Sequence, residues 1–226
     1  MSVAGDRSER ASKPPSPRAG DDKATTSRDA ILAAAARLFR EHGYIGTTLK
    51  AIADAAGMTA PALYWYFESK ADLLYEFLRS TSDESYRRIE SVIGTATDPV
   101  ERLRRLVTGH VEVQVELLDA ARAYDELTFS WDQLIKFVGQ DKVAELAVSP
   151  RRHVERCRQV LEDGMASGQF SLVDVNTTAF AILNMCERIS SWYHPHGPVT
   201  PTELARIHVE LALRMVGVPL DARGSH

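Results

Sequence analysis

Four consecutive aromatic side chains stand between a proline and a lysine in the segment TAPALYWYFESK. A segment this short cannot bury four neighbouring aromatics on one face, so some of them must face solvent. Tyrosine hydroxyls and a lysine ammonium donate hydrogen bonds readily to the phosphate oxygens of nucleic acids. We expect Tyr64, Tyr66 and Lys70 to face outward toward such phosphates, and Trp65 and Phe67 to face the core.

Histidine and cysteine offer the alternative chemistry, which is that of an enzyme or a metal site. His194 and His196 form an H-x-H in a loop, and His153 precedes Cys157 by one helical turn. A metal site needs further ligands at workable spacing, and none is evident. Motifs for nucleophilic catalysis, phosphate-binding loops and zinc proteases are also missing from the sequence. We therefore expect no enzyme activity, metal or cofactor, and turnover of a substrate would overturn this.

Composition places the chain among globular proteins. It has 226 residues, 44% of them hydrophobic, and a formal net charge of -4. Any nucleic-acid-binding charge must therefore be local, and residues 23–80 carry a weak excess of about +1 by residue count. Its two cysteines lie far apart in apolar segments, which predicts buried, reduced thiols. The sequence shows neither a signal peptide nor a membrane span, so a cytoplasmic protein with no membrane partner is expected.

Apolar spacing is helical along nearly the whole chain after a polar, proline-rich stretch. Residues 1–22 contain almost no large apolar side chain, so they predict a disordered tail. Beyond it, apolar positions recur at helical spacing and alternating strand patterns are absent, which predicts an all-α fold. The predicted helices run from near Ser27 to Gly43, Leu49 to about Ala56, Ala60 to about Trp65, Lys70 into the low nineties, 99–121, within 123–147, 150–167, 174–193 and 200–217.

The second and third of these helices form a helix-turn-helix candidate. They are short and are joined by the tight turn Ala56-Gly57-Met58. In such a unit the N-terminal residues of the second helix contact base edges in the major groove. Small residues suit that close approach, and the start of the preceding helix suits a phosphate. The predicted DNA-binding residues are Thr47, Thr48, Lys50, Thr59, Ala60, Pro61, Ala62, Tyr64, Tyr66 and Lys70.

The text ILAAAARLFREHGYIGTTLKAIADAAGMTAPALYWYFESKADLL resembles the N-terminal domain of the TetR family of transcriptional regulators. The resemblance is strong over roughly a quarter of the chain, because many positions agree at fixed spacing. It implies a three-helix DNA-binding domain at 23–70 and a larger helical ligand-binding and dimerisation domain at 71–221. Ala60 and Ala62 depart from members with polar side chains there, which leaves the operator sequence open.

The same resemblance implies a homodimer whose last two long helices pair with their copies. It also implies a ligand pocket in the larger domain. The expected dimer residues are Phe180, Met185, Ile189, Trp192, Leu204, Ile207, His208, Leu211 and Met215. The expected pocket residues are Val111, Val115, Leu118, Tyr124, Phe129, Trp131, Phe137, Met165 and Arg188.

The expected function is a ligand-responsive repressor that releases a palindromic double-stranded DNA operator when a hydrophobic small molecule binds. The turn SSWYHPHGPVTPTEL is similar to one in regulators of fatty-acid and steroid breakdown, whose effectors include coenzyme A thioesters. The arginines that could then meet phosphates are Arg122, Arg151, Arg152, Arg156 and Arg188. A helical small-molecule-binding protein or enzyme that does not use its helix-turn-helix remains the alternative.

Overall fold

The computed structural model describes the backbone at residues 19–128 and 130–219, and side chains from residue 27 onward within those ranges. The expected tail at residues 1–22 lies outside this part of the chain, except that residues 19–22 already belong to the first helix.

Within the described ranges the chain forms twelve α-helices and no strand, so the all-α prediction is confirmed. The helices are α1 Ala19–Gly46, α2 Leu49–Ala55, α3 Ala60–Tyr64, α4 Lys70–Ile93, α5 Pro99–Glu116, α6 Leu118–Thr128, α7 Trp131–Val138, α8 Gln140–Leu146, α9 Val148–Ala166, α10 Val175–Glu187, α11 Ile189–Trp192 and α12 Pro201–Met215.

Side-chain caps set the starts of three helices near the N-terminus. Thr48, Thr59 and Ser69 each accept a hydrogen bond from a backbone N–H three residues on, at 3.1, 3.4 and 3.0 Å. Each bond satisfies a donor that has no partner inside its helix. Gly57 takes a positive φ of 71° in the turn between α2 and α3, a conformation that other residues adopt only with strain. The expected caps and turn are confirmed.

The later helices are more broken than the sequence predicts. The expected helix 99–121 ends at Glu116, and α6 starts after a break at Leu117. The segment 123–147 is divided between α6, α7 and α8, and Gly139, with a φ of 89°, separates α7 from α8. The expected helix 174–193 breaks after Glu187, and the short α11 follows.

The buried side chains form two clusters, which we call the head core and the body core. The body core joins the second half of α4 with α5 and α9 to α12. The head core joins α1 to α3 and the first half of α4 with Ala123, Leu134, Val143 and Leu146 of α6 to α8. The predicted domain boundary at residue 70 therefore does not separate the two cores, since α6 to α8 pack with the helix-turn-helix.

Candidate nucleic-acid interface and ligand cavity

The helix-turn-helix presents α3 on the surface of the head. Ile52 and Ala53 of α2 and Leu63 of α3 are fully buried, so they fix the angle between the two helices. Phe67 is buried as expected. The expectation that Trp65 faces the core is wrong, because 89% of its surface is exposed. Leu63 and Phe67 are four residues apart and share the inward face, which leaves Trp65 between them on the outward side.

Half of the ten predicted DNA-binding side chains are exposed, at the start of α2 and along α3. Tyr64 is 55% exposed, and Tyr66 is half-buried against the head core. Ile45 was not among the predicted residues, yet it is 76% exposed at the end of α1, just before α2. The exposed members of the predicted set are Thr48, Lys50, Thr59, Pro61 and Tyr64, and the half-buried ones are Ala60, Ala62, Tyr66 and Lys70.

Thr47 and Lys70 hold the loop between α1 and α2 instead of facing outward. Thr47 is buried, and its hydroxyl lies 2.8 Å from the carbonyl of Gly43. The Lys70 ammonium donates to the carbonyls of Tyr44 and Thr47, both at 2.8 Å, and lies 4.4 Å from the centre of the Tyr44 ring. Burial lowers the pKa of Lys70. The structure therefore does not support direct phosphate contact by either side chain, because their polar groups are already committed.

Lys50 supplies positive charge at the start of the unit. Its ammonium pairs with Asp54 at 2.9 Å, one turn along α2, and this hydrogen bond raises the pKa of Lys50. Both side chains remain exposed, so the pair is an ordinary surface ion pair of small energy. A phosphate can therefore replace Asp54 as the partner of Lys50 with little loss.

A cavity of about 370 Å³ lies between the head core and the body core. Its walls come from α4, α5, α6 and α10, with Trp131 of α7 and Pro150 of α9. Three of the predicted pocket residues line it, namely Tyr124, Trp131 and Arg188. Its volume is within the range of sites that enclose small organic molecules.

The other predicted pocket residues lie elsewhere. Val111 and Leu118 are buried in the body core, and Val115 packs against it. Phe137 packs on Tyr44 of the head, with ring centres 4.4 Å apart. Met165 is 44% exposed near the end of α9, and Phe129 lies outside the described residues. Val111, Val115, Leu118 and Phe137 therefore serve packing, and polar side chains contribute much of the cavity wall.

Two carboxylates in the cavity wall were not predicted. Burial raises the pKa of Glu187 to about 7, the neighbouring charge of Asp125 adds to the rise, and Arg188 opposes it. Burial also raises the pKa of Asp125, while a hydrogen bond from the Ser190 hydroxyl acts against this. A signal was present in the sequence, since Glu187 and Arg188 are the only charged residues in the stretch AFAILNMCERISSW.

Aromatic hydroxyls and a histidine complete this wall in uncharged form. Burial raises the pKa of Tyr124 to about 12 and that of Tyr86 well above its ordinary value. Burial also lowers the pKa of His110 well below its ordinary value, and the nearby His153 and His208 add to this. The charge in the cavity therefore comes from Asp125, Glu187 and Arg188.

Some of the arginines expected to bind coenzyme A phosphates already have partners within the chain. Arg122 donates to the carbonyls of Ser190 and Tyr193 at 2.9 and 2.7 Å, and so fixes the end of α11. Arg156 lies 3.4 Å from a Glu90 carboxylate oxygen, and Arg188 lies in the cavity wall. A second, open groove of about 970 Å³ runs along α7 to α10, shares Trp131 with the cavity, and is lined by the arginines Arg151, Arg152 and Arg158.

The helices α10 to α12 leave four large apolar side chains exposed, one of which, Phe180, also lines the groove beside Arg158. Phe180, Trp192, Leu211 and Met215 each expose between 39 and 49% of their surface. Met185 and Ile207, also expected at a dimer interface, are half-buried. The remaining predicted dimer residues, Ile189, Leu204 and His208, are buried within the single chain and are unavailable to a partner. They occupy the inner sides of the same helices, which the apolar pattern alone did not distinguish.

The alternative metal chemistry finds no support among residues 19–128 and 130–219, where no three potential ligands lie together. His153 contacts His110, with ring nitrogens 3.4 Å apart, while Cys157 is buried in the body core. His194 and His196 are exposed in their loop. None of the helices in this part of the chain combines the length and apolar character that a bilayer-spanning segment requires.

Two family models match this chain. One, described as "Bacterial regulatory proteins, tetR family", matches residues 31–77, which contain the helix-turn-helix. The other, described as "Tetracyclin repressor-like, C-terminal domain", matches residues 96–216, more than half of the chain. The protein belongs to the TetR family. The resemblance expected from the sequence is thereby confirmed and extends over the larger domain.

Relatives of known name are transcriptional regulators. The HTH-type transcriptional repressor KstR2 of Rhodococcus jostii is 30% identical over 194 residues, which is 85% of this chain and 92% of that protein. KstR2 of Mycolicibacterium smegmatis is 28% identical and covers 82% of this chain and 88% of its own. This TetR-family protein is accordingly a DNA-binding transcriptional repressor, and its named relatives are regulators rather than enzymes.

Solved structures of TetR regulators share its fold. KstR2 of Mycobacterium tuberculosis superposes with a TM-score of 0.71 at 26% identity, covering 83% of this chain and 93% of that one. AibR, solved with isovaleryl coenzyme A and operator DNA, gives a TM-score of 0.71 at 25% identity, covering 82% and 97%. PfmR of Thermus thermophilus gives 0.71 at 32% identity, covering 81% and 97%.

Proposed function

We propose that this repressor acts as a homodimer that binds a palindromic operator and releases it when a small molecule with an apolar skeleton enters the 370 Å³ cavity. The observation that carries the proposal is the course of α4. This helix begins at Lys70, whose ammonium holds the start of the helix-turn-helix, and lines the cavity from Thr81 to Ile89.

The proposed DNA contacts are the exposed side chains of α2 and α3. Thr59 and Pro61 at the start of α3 approach base edges, and Tyr64 and Trp65 at its end meet bases or backbone. The start of α2, with the exposed Thr48 and Lys50, meets a phosphate, where the helix N-terminus favours negative charge. Thr47 and Lys70 act indirectly, by fixing the loop that aims α2.

The proposed dimer surface is the exposed apolar face of α10 to α12. Exposed apolar side chains clustered on adjacent helices are typical of a surface that a partner covers. A second copy fits best, because two-fold symmetry would place two copies of α3 about 34–36 Å apart, one turn of DNA, or wider. The contact residues would then include Phe180, Trp192, Leu211 and Met215.

Two routes connect the cavity with the DNA-binding surface. The first is α4 itself. The second is α7, whose first residue, Trp131, lines the cavity, while Phe137 near its end packs on Tyr44. Tyr44 in turn carries the ammonium of Lys70 on its ring. A ligand that favours another position of α4 or α7 would change the spacing of the two recognition helices and lower the population that fits DNA.

An acyl coenzyme A thioester is a second candidate effector. The observation that favours it is the groove with Arg151, Arg152 and Arg158, which meets the cavity at Trp131 and could hold phosphates while the acyl chain enters the cavity. AibR, with a similar fold, was solved with a ligand of this class. Release of the operator by a coenzyme A thioester, and loss of that response in Arg151→Ala/Arg152→Ala, would support this candidate over a free apolar effector.

Selection of bound fragments from random duplex DNA tests the proposed function. A recovered palindrome is the expected result, and it supplies the probe for measuring affinity and release. On that probe Tyr64→Ala and Trp65→Ala are each expected to weaken binding by about 1–3 kcal/mol. Val173→Ala, which changes a fully exposed residue of the larger domain, serves as the control. Failure to recover a motif from refolded, ligand-free protein at low salt would refute the proposal.

A further inference from the structure

The cavity wall contains more hydrogen-bond acceptors than its own residues satisfy. Ser82 is only 5% exposed, and its hydroxyl makes no hydrogen bond of good geometry. The hydroxyl lies close to Tyr124, and this proximity acts against the rise in the Tyr124 pKa that burial causes. The side-chain oxygen of Gln114 is also buried without a partner. No group among the described residues donates a hydrogen bond to the Glu187 carboxylate. A ligand that donates hydrogen bonds would therefore satisfy groups that are now unpaired.

The charge of the wall becomes negative once both of its carboxylates are ionised, which for Glu187 requires a pH above about 7. Asp125 and Glu187 are carboxylates, and Arg188 is the single cation among the described lining residues, since burial keeps His110 neutral. When both carboxylates are ionised, one negative charge remains without a counter-ion. A ligand cation would supply it, whereas a ligand carboxylate would be repelled.

The rest of the wall suits a cation with an apolar skeleton. Tyr86, Tyr124 and Trp131 contribute aromatic rings to the wall, although one face of Tyr86 stacks on His153, and Ile89 and Val113 add aliphatic surface. The face of an aromatic ring attracts positive charge. Aromatic rings around an unpaired carboxylate combine electrostatic attraction with apolar contact. An alcohol of the same skeleton would gain only part of this stabilisation.

We propose that the effector carries a protonated amine on an apolar skeleton, and that the amine binds Glu187 inside the cavity. This inference rests on the proposed function, because it names the chemical class of the effector. Ligand binding and operator release are therefore measured separately, so that one can fail without the other.

Isothermal titration of the protein with matched compounds tests the inference. The probes are 4-phenylbutylamine, 4-phenylbutanol and 4-phenylbutanoate, with octylamine, octanol and octanoate as a second skeleton. The amine of each set is expected to bind most tightly. Glu187→Gln, which keeps the shape and removes the charge, is expected to weaken amine binding about 10- to 100-fold and to change alcohol binding by a much smaller factor. Glu162→Gln removes an exposed carboxylate of α9 outside the cavity and is the control.

Three outcomes would overturn the inference. These are tighter binding of an acid or alcohol than of its matched amine, equal amine binding by wild type and Glu187→Gln, and binding of none of the six compounds. Operator affinity is measured on the same samples. If the protein binds its operator normally but does not bind the amines as expected, the proposed repressor function stands. Only the proposal that the effector is an amine is then refuted.

Discussion

Replacement of Glu187 by glutamine is expected to increase the free energy of unfolding by about 3 kcal/mol at pH 8 but only about 1 kcal/mol at pH 5. The change keeps the size of the side chain and removes its charge. Its magnitude follows from the rise of the Glu187 pKa from 4.5 to about 7 in the folded protein. Each unit of that difference corresponds to about 1.4 kcal/mol between the two protonation states.

The direction follows from which state binds the proton more tightly. Because the folded state raises the pKa of an acid, it favours the neutral form, and the ionised carboxylate destabilises it. This destabilisation is fully present above about pH 7 and is lost as the pH falls toward 4.5. Glutamine has no charge at any of these pH values, so the advantage of the variant is large at pH 8 and small at pH 5.

Urea unfolding followed by circular dichroism measures this difference. Wild type, Glu187→Gln and the exposed control Glu162→Gln are compared at pH 8 and pH 5 at one protein concentration, since dimer formation would make stability depend on concentration. The control is expected to match wild type at both pH values. Equal stabilisation by Glu187→Gln at pH 8 and pH 5 would refute the reasoning, because it would show that the Glu187 charge is solvated.

Three further changes test the loop anchor, the dimer surface and a close contact. Lys70→Met is expected to lower the free energy of unfolding by about 2 kcal/mol, through lost hydrogen bonds to carbonyls. It should also weaken operator binding without changing the salt dependence, whereas loss of a phosphate contact would reduce that slope by about 1. Trp192→Glu places a charge on the exposed apolar face, and sedimentation should show a monomer where wild type is a dimer. Gly164→Ala would make a Cβ overlap the Phe170 ring and should cost about 2 kcal/mol in urea unfolding, whereas Gly46→Ala, with an ordinary contact, should cost little.

Local rules account for the parts of the fold that the sequence predicts well. Caps and turns depend on residues within a few positions of one another, so Thr48, Thr59, Ser69 and Gly57 indicate the helix-turn-helix reliably. The outward position of Trp65 follows from the same kind of rule, once Leu63 and Phe67 are assigned to the core.

Contacts between distant parts of the chain account for what the sequence did not predict. The local pattern around Lys70 predicts that its side chain faces outward. In the structure its ammonium instead donates to the carbonyl of Tyr44, which lies 26 positions earlier in the chain. Asp125 and Glu187 come from different helices, and only the packing of the chain brings them into one cavity wall. Apolar periodicity likewise does not tell a helix face buried in its own chain, such as that of Ile189, from one left exposed.

The extension of the head core into α6 to α8 has a consequence for chimeric regulators. Exchanging DNA-binding heads between relatives at residue 70 would cut through one hydrophobic core, since Ala123, Leu134, Val143 and Leu146 would meet foreign partners. Each mismatched contact would leave a void or an overlap. An exchange that carries α6 to α8 together with α1 to the middle of α4 keeps that core whole. Operator specificity and part of the cavity wall would then be inherited together. The transferable unit is discontinuous in sequence but packs around one core.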